Sequence, residues 1–224
     1  MLKPETIRFL SSLRSNNNKQ WFDQNRPAYE AARADFLSLV ERTLVGLEQT
    51  DREIAASQLQ PKSCVFRINR DVRFSTDKSP YKTNFGAWFN AGGKNSRSAG
   101  YYLNVEPGNA FVAGGMYMPD TDVLAAIRQE IDYNLPAFES ILTQPAFRSY
   151  FSGLNRETAL QRPPKGYDVN NPGIEYLKLK SFTVSHSIPD SMLTTPGLST
   201  TVQAAFASLQ PLVKYLNRSL PQSD

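Results

Sequence analysis

Apolar side chains recur at helical spacing in the first fifth of the chain and again in its second half. A short amphipathic helix is predicted near the start, because Ile7, Leu10 and Leu13 lie three residues apart. A longer helix is predicted over residues 29–47, where apolar positions return every three or four residues. The same period predicts helices over residues 122–133 and 197–220.

Between residues 64 and 118 the apolar positions alternate with polar ones, and β-branched and aromatic residues become frequent. A period of two is typical of strands. It predicts four strands, near residues 64–74, 85–91, 100–106 and 110–118. The turn Glu106-Pro-Gly-Asn109 and the glycine-rich loop over 90–100 join consecutive strands directly, so these strands are expected to pair antiparallel. A further strand is expected over 179–184.

Helical segments on both sides of a strand-rich centre indicate the fold class. We expect an α+β protein with a central antiparallel β-meander flanked by N-terminal and C-terminal helices. The sequence contains neither an internal repeat nor a convincing linker. Residues 1–224 are therefore expected to form a single α+β domain, which this length allows.

The composition excludes several kinds of site. Cys64 is the only cysteine and His186 the only histidine, so an intrachain disulfide, a Cys/His zinc cluster and a multi-histidine metal site are impossible. The carboxylates of Asp71, Asp77 and Glu106 remain as ligands for a divalent cation, but nearby arginines would compete with the ion. No metal and no cofactor is therefore predicted.

The hydropathy of the chain bears on where the protein works. The first residues lack the uninterrupted apolar core of a signal peptide, and no apolar run has the length of a membrane span. With a single cysteine, a soluble cytoplasmic protein without a membrane partner is expected. The oligomeric state stays open.

The positive charge is concentrated in one window. The net charge is +4, and residues 62–82 contain six basic and two acidic residues, so this window holds the entire excess. Such a basic patch attracts phosphates, carboxylates or nucleic acid. The alternative is a solvated surface whose charges only protect a strand edge. The basic residues are Lys62, Arg67, Arg70, Arg73, Lys78 and Lys82.

The segment Phe66-Arg-Ile-Asn-Arg-Asp-Val-Arg-Phe74 carries the densest basic pattern. A regular strand here would place Arg67, Asp71 and Arg73 on one face, where guanidinium groups beside a carboxylate can hold an anion. Arg70 would interrupt the opposite, apolar face. Its charge then needs a carboxylate, backbone carbonyls or a bound anion as a partner.

The sequence therefore predicts binding of a phosphorylated or otherwise anionic small ligand at an arginine-rich sheet face. In this hypothesis the arginines clamp the anion, the lysines of the following loop cover it, and a carboxylate orients the guanidinium groups. The predicted anion-binding residues are Arg67, Arg70, Asp71, Arg73, Lys78, Tyr81, Lys82 and Tyr102.

The sequence leaves the catalytic residues unknown and does not decide whether the protein is an enzyme. If turnover occurs, Tyr81 or Tyr102 is a candidate acid, and Asp71 or Glu106 is a candidate base.

Two other functions stay open at this point. One is a non-catalytic scaffold or interaction protein, in which the arginines and Asp71 form an internal salt-bridge network. The other is weak binding of single-stranded nucleic acid, because basic and aromatic residues interleave at Arg73-Phe74 and Tyr81-Lys82. A net charge of only +4 argues for modest affinity in that case.

Several motifs resemble those of one protein family. They are Asn17-Asn-Lys-Gln-Trp-Phe22, the 66–74 segment, Asp77-Lys-Ser-Pro-Tyr-Lys-Thr-Asn84, Gly100-Tyr-Tyr-Leu103, Pro164-Lys-Gly-Tyr-Asp168 and Leu177-Lys-Leu-Lys-Ser-Phe182. Over nearly its whole length the chain resembles the uncharacterised microbial family catalogued as domain of unknown function 2461. The resemblance implies a single domain and a microbial origin, and it brings no established activity, ligand or catalytic residue. Pro27 departs from the family pattern at the start of the long helix.

Overall fold

The computed structural model describes residues 1–220 of the chain, in which helices surround one four-stranded sheet. In chain order, the elements are α1 (Pro4–Ser15), α2 (Lys19–Gln24), α3 (Arg26–Thr50), α4 (Arg52–Ser57), α5 (Pro61–Cys64), β1 (Phe85–Asn90), β2 (Gly100–Val105), β3 (Ala110–Met116), α6 (Thr121–Tyr133), α7 (Leu135–Thr143), α8 (Pro145–Arg148), α9 (Ile174–Leu177), β4 (Phe182–Ile188), α10 (Asp190–Leu193) and α11 (Gly197–Arg218).

The sheet is an antiparallel meander with the strand order β1-β2-β3-β4. Helices precede and follow it in the chain, so the predicted α+β class is confirmed. Strands β1, β2 and β3 lie where alternation and turn residues predicted them. Strand β4 overlaps the segment predicted over 179–184 and pairs with β3 at the edge of the sheet.

The strand predicted near 64–74 is wrong. That segment begins at the end of α5 and contains only two isolated bridges, Val65 with Ala87 and Asn69 with Tyr81. The segment thus pairs with β1 at Val65 and, four residues later, pairs with Tyr81 instead. Alternation reports which side chains share a face, but it does not say whether one neighbouring strand continues alongside.

Local hydrogen bonds explain why the extended conformation ends after residue 70. The carboxylate of Asp71 accepts a hydrogen bond from the backbone N–H of Arg73, which is a side-chain turn. The carboxylate of Asp77 accepts one from the backbone N–H of Ser79 in the same way. Two such turns close the loop over 71–79 and bring the chain back beside its own start.

Helices α3 and α11 pack against one face of the sheet, called here the inner face. Phe89, Tyr101 and Leu103 on this face have no exposed surface. Helix α11 approaches β3 closely because Gly114 has no side chain, and Leu209 fills the space that a Cβ atom there would need. The core is therefore built on one side of the sheet, and the opposite side is available for another role.

Candidate functional site

The opposite side of the sheet, called here the outer face, borders an open groove with a volume of about 840 Å³. The register of the strands places Trp88, Tyr102 and Phe111 on this face, together with small residues of β3 and β4. All three rings are partly exposed. We call them the aromatic floor.

Two rings of the aromatic floor lie against glycines of the neighbouring strand. A Cβ atom at Gly86 would lie 2.6 Å from the hydroxyl oxygen of Tyr102, and one at Gly100 would lie 3.0 Å from Cζ2 of Trp88. Both rings therefore have atoms close to the backbone of the neighbouring strand. Both residues also line the groove.

The far side of the groove is lined by small polar residues of β4. Thr183, Ser185 and Ser187 alternate along that strand and share the outer face with the rings. Ser185 and Ser187 are exposed. Their hydroxyl groups can donate and accept hydrogen bonds, so they can recognise polar edges of a ligand that lies on the floor.

A second cavity, of about 480 Å³, adjoins the groove at the β1 edge of the sheet. The two cavities share Phe66 and Lys94 as lining residues. Phe66 is held beside β1 because its backbone N–H donates to the carbonyl of Gly86 at 3.0 Å. Its ring centroid lies 6.2 Å from that of Tyr102, so Phe66 extends the aromatic floor to the second cavity.

Positively charged side chains gather around Phe66. The ammonium nitrogens of Lys82 and Lys94 each lie 5.3 Å from the centroid of its ring. Arg33 and Arg67 line the second cavity with Lys94. We call Arg33, Arg67, Lys82 and Lys94 the basic cluster.

The basic cluster lacks salt bridges: within residues 1–220, none of its four members forms one. Asp71 lies close enough to Arg67 for that guanidinium to contribute to the lowered pKa of the carboxyl, but its direct partner is Arg73. Burial lowers the pKa of Lys82, and the nearby charges of Arg67 and Lys94 lower it further. Cations that repel one another at a cavity without a carboxylate form a site that an anion would stabilise.

One further cation of the groove is electrically different. Arg97 lines the groove, but it pairs with Asp120 at 3.2 Å and also with Asp122. Glu157 lines the groove as well. Arg97 is thus compensated by acids, whereas the members of the basic cluster form no salt bridge within residues 1–220.

The predicted anion-binding residues fall into separate groups. Arg67 and Lys82 belong to the basic cluster, and Tyr102 belongs to the aromatic floor. Burial raises the pKa of Tyr102, so its hydroxyl stays protonated and acts as a hydrogen-bond donor. Tyr81 lies elsewhere, with its ring stacked on Phe22 at 4.0 Å between centroids, and only 7% of its surface is exposed.

The other predicted residues lie in the 71–79 loop or beside it, and they are bonded within that loop. The guanidinium of Arg70 pairs with Asp77 and donates to the carbonyl of Ser79 at 3.2 Å. Arg70 therefore has the protein partner that its charge requires.

A second pair and a lysine complete these bonds. The guanidinium of Arg73 donates to the carboxylate of Asp71 at 2.7 and 2.9 Å. The side chain of Lys78 donates to the carbonyl of Val72 at 3.0 Å. Arg73 is thus paired with a carboxylate and Lys78 is bonded to a backbone carbonyl, and neither residue belongs to the basic cluster.

One candidate acid for turnover, Tyr102, lies near one candidate base: burial raises the pKa of Tyr102, and the charge of Glu106 raises it further. Glu106 accepts a hydrogen bond from Asn109 at 3.1 Å and another from the hydroxyl of Thr83. Asp71 is engaged by Arg73 in the loop, and the bonded guanidinium holds the pKa of that carboxyl below its usual range. Neither carboxylate lines the groove or the second cavity.

Sequence reasoning missed several residues of this site, among them Arg33, Trp88, Lys94 and Phe111. Arg33 is one of many charges on the polar side of α3, and no pattern distinguishes it from the others. Lys94 follows two glycines in the hairpin loop, which folds back so that its ammonium donates to the carbonyl of Val65 at 2.8 Å. Trp88 and Phe111 alternate correctly for a strand, but an aromatic residue fits either face.

Among residues 1–220, His, Cys, Asp and Glu side chains form no group of three or more that could hold a metal ion. No helix within that span combines the length and the apolar character needed to cross a bilayer. Cys64 is buried, and this burial raises the pKa of its thiol.

Comparison with known proteins identifies the family. A family model described as "Conserved hypothetical protein (DUF2461)" matches residues 5–215, a span that includes the groove, the aromatic floor and the basic cluster. No curated protein and no solved structure shows a significant match. Because the match covers nearly the whole chain, this protein belongs to the DUF2461 family.

Proposed function

We propose that the protein binds a phosphorylated or otherwise anionic small ligand at the basic cluster, on the β1 edge of the outer face. The observation that carries this proposal is the convergence of Lys82 and Lys94 on Phe66, with Arg33 and Arg67 beside them and no salt bridge to any of the four within residues 1–220. Arginine supplies paired donors for phosphate oxygens, and lysine supplies mobile point charges.

The electrostatics of the cluster support an anion in particular. Each cation raises the free energy of its neighbours, and the lowered pKa of Lys82 reflects both its partial burial and this repulsion. A bound phosphate would reverse the repulsion and return the Lys82 pKa toward its ordinary value. The free energy of the empty site is thus high for an electrostatic reason that a ligand removes.

A structural role is the second candidate function, and the pairing in the 71–79 loop favours it for the remaining arginines. Arg70 is bonded to Asp77, and Arg73 is bonded to Asp71. These pairs hold the loop in shape without any ligand. The scaffold hypothesis and the binding hypothesis therefore assign different functions to different arginines, and they can be tested on separate variants.

The test measures thermal unfolding of the full chain in phosphate and in simple phosphate esters, against sodium chloride of equal ionic strength. A ligand at one hundred times its dissociation constant stabilises the folded state by about 2.7 kcal/mol. For a chain of this size, that stabilisation raises the melting temperature by roughly 5–10 °C. The double variant Arg67→Gln/Lys82→Gln should lose this shift.

Arg73→Gln is the matched control, because it removes one arginine from the same window but not from the basic cluster. It should keep the full shift. Equal loss of the shift in Arg73→Gln would assign the effect to the net charge of the window. A wild-type protein that responds to no phosphate compound beyond its response to chloride would refute the proposal.

A further inference from the structure

We infer that the anionic ligand carries a nucleobase, with its phosphate at the basic cluster and its base stacked on the aromatic floor. This inference rests on the proposed function and specifies the class of ligand. The shared chemistry is a base joined to a phosphate, which a free mononucleotide and a single-stranded nucleic acid both offer.

The first argument is the shape of the aromatic floor. Trp88 lies close to Gly100 and Tyr102 lies close to Gly86, and both rings border the groove. Phe111 adds a third ring, with its centroid 5.8 Å from that of Tyr102 and its plane tilted by 51° from it. A flat ligand ring gains offset stacking on such a surface, and every base has a π face suited to it.

The second argument is the continuity between the floor and the charge. Phe66 lies between them, with its centroid 6.2 Å from that of Tyr102 and 5.3 Å from the ammonium nitrogens of Lys82 and Lys94. One ring thus separates the cations from the floor. A ligand with a negative end and a planar end can occupy both places at once.

The third argument is the asymmetry of the groove. The cations of the basic cluster form no salt bridge within residues 1–220, whereas Arg97, which also lines the groove, is paired with Asp120 and Asp122. The phosphate is therefore directed to the β1 edge, and the base is directed toward β3 and β4. There the exposed hydroxyls of Ser185 and Ser187 can bond to the polar edge of a base.

The groove volume is consistent with this ligand. About 840 Å³ lies within the range of small-molecule sites in proteins. A long nucleic acid needs many phosphate contacts along an extended basic path. The basic cluster has four members gathered at one end, so the free mononucleotide is the source that the charge distribution favours.

The first experiment compares AMP, ribose 5-phosphate and adenosine by calorimetric titration of the wild-type protein. AMP should bind at least tenfold more tightly than ribose 5-phosphate, because base stacking adds to the phosphate interaction. Adenosine lacks the phosphate and should bind more weakly than AMP. Equal affinities for AMP and ribose 5-phosphate would overturn the inference and leave the proposed function intact, whereas no binding of either would remove both.

Variants of the floor provide the second readout. Trp88→Leu should weaken AMP binding at least tenfold and leave ribose 5-phosphate binding unchanged. Gly86→Ala should weaken AMP binding as well, because the added methyl group displaces the ring of Tyr102 without changing any aromatic residue. Tyr133→Leu is the matched control, because this ring is 73% exposed but does not line the groove.

Fluorescence of Trp88 reports on stacking at the floor while leaving the floor residues unchanged. Trp21 and Trp88 are the only tryptophans, so Trp21→Phe leaves Trp88 as the single emitter. AMP should quench that emission, and ribose 5-phosphate should not. Unchanged emission at saturating AMP would place the base away from the floor and overturn the inference.

Titration with a short oligonucleotide distinguishes a free mononucleotide from a single-stranded nucleic acid as the ligand. A six-nucleotide single strand of adenylates should bind no more tightly per site than AMP if the ligand is a free mononucleotide. A much tighter, salt-dependent interaction that Trp88→Leu abolishes would identify a nucleic-acid strand as the source and support the same stacking. Tight binding that Trp88→Leu leaves unchanged would instead indicate charge alone and count against the inference.

Discussion

The two faces of the sheet use the same kinds of residue for different purposes. Tyr101 and Tyr102 are neighbours in β2, but they point to opposite faces. The hydroxyl of Tyr101 donates to the carboxylate of Asp51 at 2.6 Å inside the core, with no surface exposed. Tyr102 lies on the outer face beside the groove, and its hydroxyl makes a long hydrogen bond of 3.3 Å to Asn104.

This difference indicates that the residues that stabilise the fold and the residues that border the groove lie on separate faces of the sheet. Side chains of the inner face are covered by helices α3 and α11, so a change there alters the free energy of unfolding. Side chains of the outer face keep part of their surface free, so a change there should alter binding more than folding. Two matched pairs of variants, one of them also compared at alkaline pH, test this separation.

The largest effect is expected from truncating a ring on the inner side. Phe206 is 1% exposed, and its centroid lies 5.3 Å from that of Tyr101 and 6.1 Å from that of Phe89. Phe206→Ala should lower the free energy of unfolding by about 3–5 kcal/mol in urea denaturation, because it leaves a cavity in the core. Phe111→Ala on the outer face should lower the free energy of unfolding by less than half as much. Equal losses in the two variants would contradict the separation between the two faces.

A smaller effect is expected from removing one hydroxyl. Tyr101→Phe should destabilise the protein by about 1–3 kcal/mol, because the nearly buried carboxylate of Asp51 loses a hydrogen-bond donor. Tyr102→Phe should change the free energy of unfolding by less than about 0.5 kcal/mol. Chemical denaturation of the two variants side by side measures this difference, and a reversed order would contradict it.

The smallest effect concerns alkaline pH. Burial and the bonded Asp51 carboxylate raise the pKa of Tyr101 far above its usual range. Burial also raises the pKa of Tyr102, which has no carboxylate bonded to its hydroxyl within residues 1–220. Unfolded tyrosine loses its proton near pH 10. Above that pH the unfolded state binds fewer protons than the folded state, so stability should fall as pH rises.

Denaturation midpoints measured from pH 8 to about pH 11.5 check this expectation. Tyr101→Phe should flatten the decline more than Tyr102→Phe, since the group with the larger rise in pKa contributes more of the slope. The same slope in both variants would show that the two hydroxyls experience similar surroundings.

The β-meander could be predicted because its strands pair with partners that are close in sequence. Alternation in β1, β2 and β3 and the turn Glu106-Pro-Gly-Asn109 specify neighbours that are close in sequence. The segment 64–74 has the same alternation, but its pairing depends on a choice between β1 and residues 80–82. Side-chain turns and contacts with residues distant in sequence settle that choice, and the alternation of apolar residues does not predict them.

The candidate site was predictable only in part, and for a similar reason. Arg67 and Lys82 were found from the charge of one window, whereas Arg33 comes from α3 and Lys94 from a loop that folds back onto residue 65. Their proximity is a property of the tertiary structure. The arginine-rich pattern also drew attention to Arg73, whose charge is satisfied by an acid two residues away.

The order of the elements along the chain has a consequence for synthesis. Strands β1 to β3 are close together in the sequence and can pair soon after they leave the ribosome, whereas α11, which covers their inner face, begins only at Gly197. Until α11 is made, the nascent chain carries an assembled but partly uncovered apolar surface. Such a surface is prone to aggregation, so the sheet depends on the synthesis of α11 for its protection.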